Sequence, residues 1–279
     1  MNVKIVTDSV ADLPEDILKK LDITTIPLLL RFGEEEFRDG IDITPDEFYE
    51  KLKNSSIFPT TAVPSPAVYS EVYDRLAEET DSIVFVTLSA KLSGTYEVAR
   101  QAVNLMKKKC RVEVIDSQWA TMAEGFIVMK AAAAAQEGAS LEEVREVVRD
   151  NISRVDFLCT FDTLEYLKRG GRIGAARAFL GSMLKINPLI TLRDGVVMPA
   201  GKTRSRAKAI ERIFDFAKSY SRIEEIAVEN TACAEEAEAL VERLKDIVPG
   251  KEIYTSRMTP VIGAHTGPGL LLCVVMGDK

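Results

Sequence analysis

Ser82-Ile-Val-Phe-Val-Thr-Leu88 is a short, unbroken apolar run that passes directly into Ser89-Ala-Lys-Leu-Ser-Gly-Thr95 and then into an amphipathic segment. A strand apolar on both faces belongs inside a parallel sheet covered by helices on either side. The segment after Ser93 supplies one such cover, with Tyr96, Ala99, Ala102, Val103 and Met106 on one stripe at helical spacing. Working outward, the alternation repeats. Val3–Thr7 reads as a strand, directly from the Met1-Asn2 start, with the turn Asp8-Ser9 and a helix near Pro14 after it. A second strand spans Ile26–Phe32. Thr44-Pro-Asp-Glu47 is a capping box with proline at the first helical position, and Ser65-Pro66 opens a helix in the same way, running through Tyr73 towards Glu79. Arg111–Ile115 is the next strand, Ala120–Ala135 an alanine-rich helix, and Ser140-Leu-Glu-Glu143 caps another. Such alternation predicts a three-layer α/β/α arrangement around a mostly parallel sheet.

The second half changes character. Val155–Phe161 is a strand, Thr163–Lys168 a short helix ending at Gly170-Gly171, and Ile186–Leu192 and Val196–Pro199 flank Arg193-Asp-Gly195, a hairpin signal. Amphipathic helices follow at Arg206–Tyr220 and Ala234–Ile247, with strands at Glu225–Glu229, Glu252–Thr255 and Leu270–Met276. A hairpin among helices predicts a two-layer α/β domain with a mixed sheet. The chain therefore divides into an N-terminal domain, residues 1–155, and a C-terminal domain, residues 156–279.

A length of 279 residues, 46% hydrophobic and 28% charged, suits an ordinary globular protein. The net charge of −7 argues against nucleic acid, which requires a basic surface. No signal peptide or membrane-spanning run is visible. Cys110, Cys159, Cys233 and Cys273 are scattered without a CxxC pair, so they read as reduced thiols of a cytoplasmic protein with no metal site.

Three runs carry candidate chemistry. Ser93 stands where a strand's carboxyl end meets a helix start, the place where open α/β sheets bind ligands and where helix N–H groups favour an anion. An ordinary N-cap serine is the plain alternative. Hydroxyl-bearing turns recur at Thr7-Asp-Ser9, Thr60-Thr61 and Asp116-Ser117. Thr163-Leu-Glu-Tyr-Leu-Lys-Arg-Gly-Gly-Arg-Ile-Gly174 concentrates Lys168, Arg169 and Arg172 near a glycine turn, either a helix terminus with favourable cations or a basic patch for an anionic group or a partner. His265, the chain's one histidine, sits among Gly263, Gly267 and Gly269 on backbone free to approach a ligand. GxxxxGK[ST] and GxGxxG are absent, which weakens nucleotide binding. A serine hydrolase or esterase, with Ser93 as nucleophile, His265 as base and Asp8 or Asp116 as orienting group, is the enzymatic alternative, although no GxSxG elbow is present.

Thr7-Asp-Ser9 with Asp12-Leu13, Thr60-Thr-Ala-Val-Pro-Ser-Pro66, Ser89-Ala-Lys-Leu-Ser-Gly-Thr95, Asp116-Ser117, Leu164-Glu-Tyr-Leu-Lys-Arg-Gly-Gly-Arg-Ile173 and Pro260-Val-Ile-Gly-Ala-His-Thr-Gly-Pro-Gly269 together resemble the DegV family. The match spans nearly the whole chain. The resemblance implies a two-domain α/β protein that buries one long-chain fatty acid in a tunnel, in a ligand cleft between its domains, and has no catalysis or cofactor of its own. It implies a carrier that presents the acyl carboxylate to a separate ATP-binding fatty-acid kinase subunit, without membrane insertion. By position in those motifs, Thr61, Ser93 and His265 would hold the carboxylate, with Thr60, Gly94 and Thr95 close by, and Arg172 would serve kinase engagement or phosphoryl transfer. Where the family often has serine, this chain has Thr61, which keeps the hydroxyl. Ile26–Leu30 and a helix at Ala176–Leu184 are candidate tunnel walls.

Overall fold

The computed structural model describes the backbone of residues 3–279 and the side chains of all these except residues 182–185; Met1 and Asn2, read with the first strand, lie outside the described residues. The first half runs β1 (Lys4–Asp8), α1 (Glu15–Lys20), β2 (Ile23–Ile26), β3 (Leu29–Phe32), β4 (Glu35–Arg38), α2 (Pro45–Asn54), β5 (Thr60–Ala62), α3 (Pro66–Leu76), β6 (Ser82–Thr87), α4 (Thr95–Val103), β7 (Arg111–Asp116), α5 (Met122–Gln136) and α6 (Leu141–Ile152). Strands β2, β1, β6 and β7 form a four-stranded sheet in that order, parallel throughout. As its apolar run requires, β6 is central and buried on both faces. On one side Tyr69 and Tyr73 of α3 pack against Phe85. On the other side, Val84 and Val86 meet Phe126 and Ile127 of α5.

The expected single strand Ile26–Phe32 is two strands in two sheets. Pro27 has no N–H to continue a ladder, and the next amide, Leu28, donates to the Ser9 hydroxyl at 3.1 Å. The chain turns there. Strand β3 joins β4 and β5 in a small antiparallel sheet, order β4-β3-β5, which the sequence reading did not anticipate. Thr60-Thr61, read as a turn, is thus part of β5, with Thr61 opposite Leu30. The capping boxes at Thr44/Glu47 and Ser140/Glu143 form as expected. The helix from Pro66 differs: Ser65 makes no side-chain cap bond, and the helix stops at Leu76.

The second half runs β8 (Val155–Thr160), α7 (Glu165–Arg169), a 3-10 run at Gly174–Lys185 in place of the helix expected at Ala176–Leu184, β9 (Asn187–Arg193), β10 (Val196–Thr203), α8 (Arg206–Lys218), β11 (Arg222–Asn230), α9 (Ala234–Leu244), β12 (Tyr254–Arg257), α10 (Pro260–Thr266) and β13 (Leu271–Asp278). Its six-stranded sheet has the order β10-β9-β8-β13-β11-β12 and is mixed, since β11 and β12 are parallel while the other pairs are antiparallel. Asp194 (φ 52°) and Gly195 (φ 77°) make the two-residue turn of the β9–β10 hairpin, both in the left-handed region that such turns need.

Helices α8 and α9 cover one face of this sheet, where Ile213 and Leu240 pack with Ile226 and Val275. Helix α5 covers the other face and also lies on the parallel sheet. It is buried nearly all round, from Met122 to Ala135, as a helix hydrophobic on every side must be. One continuous apolar cluster consequently joins both sheets, with Val84, Phe126, Phe157 and Leu272 among its members.

Candidate functional site

His265 lies on α10, the helix formed by the first part of the glycine-rich run around it. Pro260 starts the helix and Gly267, at φ 69°, ends it, with its amide bonded to the Gly263 carbonyl at 2.8 Å. These glycines allow close approach, but to protein side chains. A Cβ on Gly263 would strike the Phe48 ring, and one on Gly267 would strike Tyr166. The approach brings α10 against β5, and His265 Nε2 meets Thr61 Oγ1 at 2.8 Å. The other ring nitrogen, Nδ1, is buried without a hydrogen-bond partner, against Gly170, where any side chain would collide with the imidazole. Burial, and then the nearby Arg172 guanidinium, push the imidazole pKa down to about 4, so the ring is neutral at physiological pH.

Arg172 follows the Gly170-Gly171 turn, where Gly171 has φ 73°. It is half-buried, unlike the exposed Lys168 and Arg169 that precede it. Its Nε donates to the Leu92 carbonyl at 2.9 Å and its Nη1 to the Gly170 carbonyl at 2.6 Å. The guanidinium therefore ties the loop carrying Ser93 to the turn that backs His265. Ser93 itself is not the N-cap of α4; Gly94 holds that position and no side chain caps the helix. One residue earlier, the Ser93 hydroxyl accepts from the Thr95 amide at 3.3 Å and pairs with the Thr95 hydroxyl at 2.9 Å.

Thr61, Ser93, Gly94, Arg172 and His265 all line one cavity, which with its open mouth encloses about 1020 Å³ between the small sheet, α10 and the six-stranded sheet. Thr60 is exposed on β5 and Thr95 is buried behind Ser93; neither lines it. The walls are apolar: Leu88 and Leu92 come from the first half, Phe157, Ile190 and Leu272 from the second. Among the described residues no Asp or Glu lines the cavity. Of the expected wall residues, Leu28 contributes, residues 176–181 do not, and the side chains of residues 182–184 lie outside those described. Sequence reasoning missed the β8, β9 and β13 walls because their inward residues carry the same apolar pattern as any sheet core.

The hydrolase constellation is not assembled. Asp8 spends its oxygens on the Val10 and Leu88 amides, and Asp116 accepts from the Ala90 and Gln118 amides. Among the described residues no carboxylate reaches His265 Nδ1, and Nε2 is bonded to Thr61 instead of Ser93.

A model of the DegV family, described as uncharacterised protein, matches residues 2–276. The chain belongs to the DegV family. It is 38% identical, over 98% of both chains, to a DegV domain-containing protein of Streptomyces coelicolor. Among solved structures it resembles a DegV family protein of Thermus thermophilus described by its fatty acid binding, with TM-score 0.90 and 34% identity over 99% of this chain and 100% of that one. It also resembles DegV of Bacillus subtilis, described as a fatty acid binding protein, with TM-score 0.90 and 33% identity over 99% of each chain. The chain thus shares the DegV fold, with one parallel and one mixed sheet here. No helix among the described residues is long and apolar enough to cross a membrane.

Proposed function

We propose that this DegV protein binds a long-chain fatty acid, with the carboxylate at Thr61, Ser93 and His265 and the acyl chain along the apolar walls. The observation that carries the reading is chemical asymmetry: the Thr61 and Ser93 hydroxyls and the His265 imidazole, with Thr61 hydrogen-bonded to His265 and the Arg172 guanidinium nearby, gather in a cavity whose walls are otherwise almost wholly apolar and, among the described residues, carry no acid. A carboxylate in such a place needs charge-assisted donors to offset its desolvation. With a neutral imidazole donating from Nε2 to Thr61, the Thr61 and Ser93 hydroxyls are free to donate to it. The acyl chain gains about 0.8 kcal/mol for each buried CH₂. Fatty acid binding in the Thermus and Bacillus relatives supports the same assignment.

The proposal extends to presentation. The carrier delivers the carboxylate to a separate ATP-binding kinase subunit that forms the acyl phosphate, with Arg172 at the contact and residues 1–155 and 156–279 as the two domains enclosing the ligand. Protein purified from a bacterial host is expected to release a long-chain fatty acid on solvent extraction, identified by mass spectrometry. A lipid-free preparation that also fails to bind palmitate would overturn the reading. For presentation, Arg172→Ala is expected to keep palmitate binding but lose acyl-phosphate formation when the kinase subunit is added.

A further inference from the structure

The short helix α10 has an N-terminus that its own cap does not serve. Thr259 is a residue type suited to capping, yet its side chain makes no cap hydrogen bond to the helix. The amides there are taken by carboxylates from distant parts of the chain. Asp39, just past β4, accepts from the Val261 amide through Oδ1 at 3.1 Å. Asp12, just past the 3-10 turn that follows β1, accepts from the Thr259 amide at 3.1 Å. Asp39 is itself fixed: its Oδ2 accepts from the Ser9 hydroxyl at 2.6 Å, and that hydroxyl accepts in turn from the Leu28 amide at 3.1 Å. Asp39 is only 2% exposed. The small sheet therefore touches α10 twice, through Thr61 of β5 on the imidazole and through Asp39 beside β4 on the helix start.

We infer that Asp39, oriented by Ser9 and seconded by Asp12, is a positioning residue that sets the placement of His265 by capping its helix in trans. A buried carboxylate without a cation nearby costs desolvation, and here three partners fix it: the Val261 amide, the Ser9 hydroxyl and, through that hydroxyl, the Leu28 amide. These two attachments, together with the close packing of Gly263 on Phe48 and Gly267 on Tyr166, set the height of α10 and the angle of the ring. The consequence for ligand affinity rests on the fatty-acid reading above; the placement of the ring does not.

Because the chain has one histidine, the imidazole resonances of tag-free protein report His265 without ambiguity. In Asp39→Ala those resonances are expected to move, the ring to titrate closer to its ordinary value, and palmitate to bind about tenfold more weakly. Asp39→Asn, which keeps an acceptor for the Val261 amide, is expected to restore all three. Glu124→Gln is the control for general damage, since Glu124 is as buried but bonds Thr7 and not α10; it is expected to leave the ring signals in place. Wild-type ring resonances and titration in Asp39→Ala, or equal displacement in Glu124→Gln, overturn the inference. If Asp39→Ala does not fold, Ser9→Ala carries the test, and unchanged ring signals there are equally fatal. Failure of wild-type protein to bind palmitate would sink the fatty-acid reading alone, with the ring measurement still deciding this one.

Discussion

Two buried polar regions meet the two ends of α10, and they draw on opposite halves of the hydrogen-bonding inventory. Towards its C-terminal end, His265, Thr61 and Ser93 supply donors, with Arg172 tying together the loops around them, while no acid lines the cavity among the described residues. Around its N-terminal end lie Asp12 and Asp39, and beyond them Asp8, Glu124 and Glu229, all 6% exposed or less. Among the described residues none of these five carboxylates is ion-paired; they accept from backbone amides and hydroxyls such as Val261, Met122, Ser9 and Thr7. The acid-rich region is furnished with internal donors. The donor-rich region has no internal anion, which is the arrangement expected of a place that receives one from outside. Full burial of the five acids serves architecture, whereas the half-buried donors, on the proposed reading, serve recognition.

The largest expected effect tests the donor-rich end. His265→Ala should weaken palmitate binding on the order of 10- to 100-fold, because it removes the donor that holds the Thr61 hydroxyl in place to bond the charged group. Its thermal midpoint should stay within a few degrees of wild type, because Nδ1 has no partner to orphan and the Thr61 hydroxyl left by Nε2 lines the open cavity. Displacement of a fluorescent fatty acid measures the first quantity and calorimetry the second. Wild-type affinity with a collapsed midpoint would reverse the contrast, making His265 architectural.

The second effect tests the acid-rich end. Burial raises Asp39 to about 6 and both Asp8 and Glu229 to about 7, and burial with neighbouring acids holds Asp12 and Glu124 well above the usual carboxylate range. A carboxyl whose folded pKa exceeds its unfolded one contributes stability that is complete below the unfolded value and is lost as pH rises through the folded value. Acidification from pH 8 to 6 should therefore raise the midpoint by on the order of 5 °C. His265, lowered to about 4, has the opposite sign: its contribution is present above 6.5 and lost as pH falls through 4. It does not oppose the carboxyls between pH 8 and 6.5, and does so below that. A midpoint flat or falling from pH 8 to 6 would mean that the five acids are compensated after all. Asp8→Asn should reduce the slope.

Much of this was legible in the residues themselves. The apolar run Ser82–Leu88 located the central strand, and Asp194-Gly195 located the hairpin, because in each case local chemistry decides the structure. The small sheet was not legible, since its formation turns on where the Leu28 amide goes once Pro27 breaks the strand, and Ser9 supplies that partner from another element. Ser93 was foreseen at a helix start, but the cap fell to Gly94. The trans cap of α10 was invisible for the same reason as the cavity walls: Asp39 and Val261 are 222 positions apart, and nothing in either segment announces the other.

The smallest expected effect is the most discriminating. Thr61 combines a hydroxyl that reaches His265 with a methyl group in an apolar cavity. Thr61→Ser removes only the methyl, worth at most about 0.8 kcal/mol, so palmitate affinity should change by less than about fourfold. Thr61→Val keeps the volume and the β-branch that suits strand β5 but removes the hydroxyl, leaving the imidazole Nε2 unpaired in a buried setting. That loss should exceed the serine variant's by about tenfold. Equal, small effects in both would show that the hydroxyl contributes nothing beyond shape, and the donor-rich end would then lack the feature that separates it from the rest of the cavity wall.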